Sequence, residues 1–392
     1  MVTCPKCFSV LTSCAGKCSC GFDLEESSAV DLTPLAADVP SEIPDLISMR
    51  QHPLWEEAYF TYPDHVKQLI LLALGRNDPA AQLRLGLMYK SGDDGVKQSY
   101  TEAFKWFSLA AEQGNAEAQC DLGAMFWIGA GTEQSYIEAL KWLHRAAEQK
   151  NAAAQCALGV MYRNGDGVEQ NDSEAFKWFS LAAEQGNAIA QRGLGLMYVT
   201  GNGVKVNYAE ACRWLHLAAE QEDAGAQCAL GVMYRNGDGV EQSDREAFKW
   251  FSLAAEQGNA EAQRELGLMY GDGDGVELNF GEAYRWLDLA AKQGDIIALL
   301  CIGELFAMIA DDCEERKGRD EERKWCRWAA AYNHIPSMER LMDGLLDMDT
   351  RRGREEALYW QFHLMIAEDD VAALTYEQVQ RRLEEMEAYQ DE

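Results

Sequence analysis

The chain has 392 residues, 47% of them hydrophobic, and a formal net charge of −30. That length exceeds one ordinary hydrophobic core and implies either several domains or an array that grows by stacking. The acid excess runs through the whole chain, so the clustered Lys and Arg that nucleic acid or an anionic membrane surface requires are missing, and no apolar run reaches the roughly 18–20 residues of a membrane span.

The first residues, Met1 to Val10, lack a positive region followed by an apolar stretch, so no signal peptide is expected. The 12 cysteines then read as reduced thiols or metal ligands, and the cytoplasm is the expected compartment. Cys4-Pro-Lys-Cys7 and Cys18-Ser-Cys20-Gly21 form two short Cys turns that can place four thiolates tetrahedrally around zinc. The pattern is similar to that of small bacterial zinc ribbons, which implies a structural zinc ion held by Cys4, Cys7, Cys18 and Cys20 in a knuckle over residues 1–25. Cys14 stands close enough in sequence to replace one of the four. Residues 26–53 are acidic, contain prolines and show little periodicity, and so predict a flexible linker. Residues 54–78 predict N-terminal capping helices, with Asp64–Leu74 shaped like the second helix of a decayed leading repeat.

From residue 79 a repeat dominates. Trp106, Trp142, Trp178, Trp214, Trp250 and Trp286 recur every 36 residues, and Gly123, Gly159, Gly195, Gly231, Gly267 and Gly303 keep the same beat. Residues 154–188 and 226–260, 72 residues apart, differ only at Asn171/Ser243 and Ser173/Arg245. Each unit holds two helical patterns. In the first, Ala154, Leu158, Met161 and Tyr162 share one face; in the second, Ala175, Trp178, Phe179, Ala182 and Ala183 do. A glycine inside the first helix costs about 1 kcal/mol relative to alanine, so its recurrence at Gly159 predicts close approach of a neighbouring helix. Asn164-Gly165-Asp166-Gly167 ends the first helix, Asp172 or Ser173 is the expected N-cap of the second, and Gly186-Asn187 closes it.

The A-x-x-x-L-G-x-M-Y, G-x-G-V and A-x-x-W-x-x-x-A-A segments resemble the Sel-1-like repeat, a relative of the tetratricopeptide repeat. The resemblance covers roughly three quarters of the chain. It implies an all-α fold, an α/α superhelical solenoid of about eight helix-turn-helix repeats over residues 79–367, preceded by the zinc-ribbon-like knuckle and the linker. The unit at about 296–331 keeps Ile302-Gly303 but loses the glycine turn, and the last keeps Ala357 and Trp360. Residues 368–392 predict a C-terminal capping helix with Thr375 as its N-cap.

For function the resemblance implies a non-enzymatic scaffold or adaptor that binds a protein or peptide. Positions that vary inside an otherwise fixed unit are the best candidates for that contact. Lys90, Trp127, Arg163, Arg192, Arg235 and Arg264 are such positions on the first helices, and they predict a concave stripe for a partner of acidic character. The competing reading pairs these arginines with neighbouring acids and packs Trp127. No catalytic residues, small-molecule substrate, nucleic acid or membrane partner are expected. The glycine-rich tips fail the twelve-residue calcium-loop pattern, and no phosphate loop or zinc-protease motif occurs. His144 and His216 read as surface residues, and Cys120, Cys156 and Cys228 as small buried packers. Two alternatives are a hydrolase of the β-lactam-directed kind linked to a cysteine-rich branch of the family, without its S-x-x-K motif here, and nucleic-acid binding through the zinc ribbon.

Overall fold

The computed structural model describes residues 2–3, 10–11, 62–316, 319–332, 334–346, 356–357, 359–361, 363 and 375–388. The chain divides into two compact units, residues 1–98 and 99–392.

In the first unit, strands β1 (Val2–Thr3) and β2 (Val10–Leu11) pair antiparallel, Val2 opposite Leu11 and Thr3 opposite Val10. Helices α1 (Asp64–Gly75) and α2 (Pro79–Ser91) form a hairpin. It closes over Val66, Ile70 and Ala73 from α1 and Ala81, Leu85 and Met88 from α2, all buried. Asp78 caps α2, accepting from Ala80 N at 2.9 Å, with Pro79 in the first helical position, where a missing N–H costs nothing. Of the capping helices predicted over 54–78, the described part is α1; residues 54–61, and the cysteines of the predicted zinc site, lie outside the described residues.

The second unit stacks helical hairpins. Its first helices are α4 (Ala116–Ile128), α6 (Ala152–Asn164), α8 (Ala188–Thr200), α10 (Ala224–Asn236) and α12 (Ala260–Asp272). The second helices between and around them are α3 (Tyr100–Glu112), α5 (Tyr136–Glu148), α7 (Asp172–Glu184), α9 (Tyr208–Ala219), α11 (Asp244–Glu256) and α13 (Phe280–Lys292). Each helix packs on the next, and first helices also touch first helices of the neighbouring repeats, which makes theirs the inner side of the stack.

The close approach expected at the recurrent glycine is present. A Cβ on Gly159 would stand 2.7 Å from Phe179 Cδ1, and one on Gly123 2.7 Å from Leu143 Cγ, so the second helix of the same repeat fills the space. The residue that fills it alternates, Phe179 and Phe251 in one series, Leu143, Leu215 and Leu287 in the other, all buried. The packing period is therefore two repeats.

The turns also follow the sequence, with one correction. Gly165 ends α6 in the left-handed region at φ +83°, its N–H bonded to Met161 O. The N-cap of α7 is Asn171, one residue before the expected Asp172 or Ser173. Asn171 sits extended at φ −146° and its side chain accepts from Glu174 N at 3.1 Å. Ser99, Ser135, Asn207, Ser243 and Asn279 do the same for their helices, each with Glu three residues on. That spacing sets the cap, while Asp172 takes a first-turn position where its charge meets the positive helix end.

At the far end, the unit without the glycine turn behaves differently. Its first helix, α14 (Ile296–Arg316), runs for 21 residues against 13 in the others, and packs on α15 (Arg319–Ala331). Helix α16 (Ile335–Leu346) comes after it, then the helical turns carrying buried Ala357 and Trp360. The capping helix is α17 (Tyr376–Ala388), which buries Val379 and Leu383. Thr375 and Gln378 form its capping box: Gln378 N donates to Thr375 Oγ1 at 3.3 Å and Thr375 N to Gln378 Oε1 at 2.7 Å.

Candidate partner-binding face

A ladder of buried glutamines fixes the register of the first helices. Gln155 Nε2 donates to Ala147 O at the end of the preceding second helix, 3.3 Å, and its Oε1 accepts from Gln185 Nε2 of its own repeat, 2.6 Å. Gln119, Gln191, Gln227 and Gln263 repeat the arrangement with Gln149, Gln221, Gln257 and Gln293. Each buried amide thus has partners at both its ends, as burial demands. In the sequence these glutamines stand out only as repeat markers; the signal of their role is their recurrence on an apolar face, where an unpaired amide would be costly.

With that register fixed, the variable positions of the first helices come to the inner side, and most of them find partners within the chain. Arg192 Nε lies 3.1 Å from Asp223 Oδ1, the N-cap of α10, although the angle is too poor for a hydrogen bond. Arg235 pairs with Glu265. Arg264 reaches Asp295 Oδ2 at 2.7 Å and Glu265 Oε1 at 3.1 Å, with its side chain only 15% exposed. Trp127 is half-buried and donates from Nε1 to Asp166 Oδ2 at 3.2 Å. Lys90 is exposed, in the first unit. Arg163 is half-buried above the Phe179 ring, 5.7 Å from its centroid. Three of the six stripe residues, Arg192, Arg235 and Arg264, thus sit in repeat-to-repeat ion pairs on the inner side, with acceptors 30 or 31 residues on, a separation that single-sequence reading does not connect.

The cysteines and histidines of the array have structural surroundings. Cys156 and Cys228 are buried, and Cys120 is half-buried. Burial pushes the Cys156 thiol up to about 11, against the pull of Arg192 and Arg163, and the Cys228 thiol up to about 12, with Glu261 and Glu265 adding to the effect. Both stay protonated near neutrality and make poor nucleophiles. His144 and His216 are half-buried rather than on the surface. Each stands edge-on to a tryptophan, Trp178 or Trp250, at 5.5 Å between centroids, so the recurrent tryptophan supplies a wall that the helix pattern alone did not reveal. Cys212 Sγ lies 3.3 Å from His216 Nδ1, yet that nitrogen is 2.9 Å from Cys212 O. The carbonyl competes with the thiol for this nitrogen, and burial raises the Cys212 thiol, which disfavours the thiolate. Among the described residues no group of three or more His, Cys, Asp or Glu is placed to hold a metal ion, and no helix is long and apolar enough to cross a membrane.

Comparison with known proteins agrees with this architecture. The sequence profile of the Sel1 repeat matches residues 79–115, 116–151, 152–187, 188–223, 224–259 and 260–295. Among solved structures, the chain is similar to c5321, a protective antigen of uropathogenic Escherichia coli strains displaying an SLR fold. The identity is 29% and the TM-score 0.59, over 79% of this chain and 73% of that one. It is also similar to a Sel1 repeat protein from Oxalobacter formigenes, at 36% identity and a TM-score of 0.53, over 61% of this chain and 98% of that one. No curated protein matches the chain.

Proposed function

Because the chain belongs to the Sel1 repeat family, whose members generally serve as protein-interaction scaffolds, we propose that it is a non-enzymatic adaptor whose first helices hold a partner protein or peptide on their inner side. One observation carries this reading. The residues that pack one hairpin on the next are nearly constant from repeat to repeat, whereas the inner-side positions change between Trp, Arg, Val, Cys, Ile and Glu. A constant frame that carries varied residues on its inner side is what selective recognition on a repeat array requires.

The test compares inner and outer faces. A partner captured by the parent chain should be lost when Arg163 and Arg235 are both changed to Glu. It should be retained when Lys177 and Lys249 of the second helices are changed to Glu; these two lysines are exposed and make only surface pairs with Glu174 and Glu246. Retention by the first variant, or loss by the second, refutes the assignment of the inner face.

Zinc at Cys4, Cys7, Cys18 and Cys20 belongs to the same proposal. The spacing of the two Cys pairs supports it. Four thiolates close the coordination sphere and leave the ion a structural role. Purified chain should carry stoichiometric zinc, and the Cys4→Ser/Cys7→Ser double variant should carry none; a metal-free parent rules the site out. Cys120, Cys156, Cys212, Cys228, Cys301 and Cys326 are free thiols, which supports a reducing compartment such as the cytoplasm.

A further inference from the structure

The two near-identical blocks act as an internal control. Arg163 and Arg235 occupy the same position in them, and each guanidinium lies 5.7 Å from the centroid of its phenylalanine, Phe179 or Phe251. The segments next in the chain differ. After the second block comes Glu261-Ala-Gln-Arg264-Glu265, and after the first Ile189-Ala-Gln-Arg192-Gly193. Both acids of the later copy are therefore absent from the earlier one.

The electrostatic consequence is local and large. Around Cys228, Arg235 pairs with Glu265, and Arg264 with Glu265 and Asp295, with Glu261 3.9 Å away. Around Cys156, the same two guanidinium positions meet one carboxylate, Asp223, which approaches Arg192. Gly193 stands where Glu265 stands in the later copy: a Cβ there would lie 3.2 Å from Phe179 Cε1, on the ring that Arg163 covers. The nearest acid in sequence, Asp166, already accepts from Trp127 at 3.2 Å and Asn164 at 3.4 Å. Among the described residues no carboxylate pairs with Arg163. Burial raises both thiols most; of the charged groups acting on them, those at Cys156 are Arg192 and Arg163, whereas at Cys228 Glu261 and Glu265 outnumber Arg264. In a chain of net charge −30, a half-buried guanidinium without a counter-charge stands out.

We propose that Arg163, with Arg192 beside it, receives an aspartate or glutamate side chain from a partner peptide, the ligand's carboxylate replacing the one that Gly193 omits. This rests on the inner face being the partner surface and narrows it to one position. The ligand is a peptide with an acidic residue beside an apolar one. Ile189, 53% exposed where the later copy has Glu261, offers an apolar contact three residues before Arg192 on the same helix. The overall negative charge repels a polyanion but tolerates a single carboxylate. Arginine suits the task because its planar fork binds carboxylates through paired hydrogen bonds.

Two libraries of heptapeptides with randomised flanks, one with Glu fixed at the centre and the other with Gln, test the idea on the full chain. The parent should recover the Glu library at least ten-fold better than the Gln library, with apolar residues enriched beside the centre. Gly193→Glu reproduces the later copy's native pairing and so keeps the fold; it should erase the preference. Arg163→Gln should do the same, and Glu265→Gly should add a second acid-selective position. Equal recovery of the two libraries by the parent, or a preference that survives Gly193→Glu, overturns the assignment. If both libraries bind equally and the Arg163→Glu/Arg235→Glu variant still loses the captured partner, the inner face stands and only the acid-selective position falls.

Discussion

The side chain that Gly159 lacks would collide with Phe179, and this fixes the sign of a substitution that helix propensity alone would get wrong. Alanine gains about 1 kcal/mol over glycine in a helix interior, whereas overpacking a tight core costs roughly 1–3 kcal/mol. Gly159→Ala should therefore lower the urea midpoint; a raised midpoint would mean that the Phe179 ring gives way freely. The opposite sign is expected at Lys150. It holds φ +62° at the turn position where Gly114, Gly186, Gly258 and Gly294 occupy the same left-handed region. Relieving that strain with Lys150→Gly should stabilise by about 1 kcal/mol, read from urea unfolding. Gln191→Leu removes the bond to Ala183 O and the acceptor for Gln221, and should cost roughly 1 kcal/mol for each bond lost. The glycine was legible because its cost in a helix needs a reason. The glutamine's role and the arginine pairings were not, because a polar residue in a periodic helix reads as solvent-facing until its partner, 30 residues away, is known.

Helix ends carry their own consequences. His334 caps α16 with its ring: Ser337 N donates to Nδ1 at 3.2 Å, and Ser337 Oγ lies 2.7 Å away. The cap needs a neutral imidazole with a free lone pair, and burial lowers the His334 pKa, against the opposing pull of Glu304 and Asp311. A histidine with a depressed folded-state pKa contributes stability above its unfolded value, and that contribution is lost as pH falls through the folded value. Thermal midpoints should therefore begin to drop as pH falls below about 7.5 and go on dropping until it has passed the lowered folded value, and His334→Asn, which caps without titrating in this range, should flatten the drop. An unchanged slope would remove His334 from the acid response; His144, also lowered by burial, would then be the next group to vary. The helices themselves were legible from their 36-residue beat, and the C-terminal cap from Thr375. The length of α14 was not, since the loss of a glycine turn announces an altered boundary without saying how far the helix continues.

Taken as a whole, the array repeats in pairs, because Phe and Leu alternate beneath the recurrent glycines. Removing residues 189–260, two whole units, should leave a folded and shorter array, since Ala188 would then meet Glu261 as Ala260 does now. Removing residues 189–224, one unit, takes out Leu215 and places two like fillers, Phe179 and Phe251, in adjacent units, and should leave a less cooperative melt by circular dichroism. The pairing was visible in the sequence as a near-duplication at a spacing of 72 residues; its packing cause was not, because the contact joins side chains of different helices. The same likeness creates a hazard during folding. A hairpin from one copy presents the surface that its counterpart's neighbour is built to receive, so a mispaired chain that skips two units still buries a well-matched core. Only loop closure discriminates, and tripling the intervening length costs about 1 kcal/mol. Refolding at high concentration should therefore yield hairpin-exchanged dimers whose swapped segments are offset by two units, whereas emergence from the ribosome, one hairpin at a time, offers each newcomer its proper neighbour first.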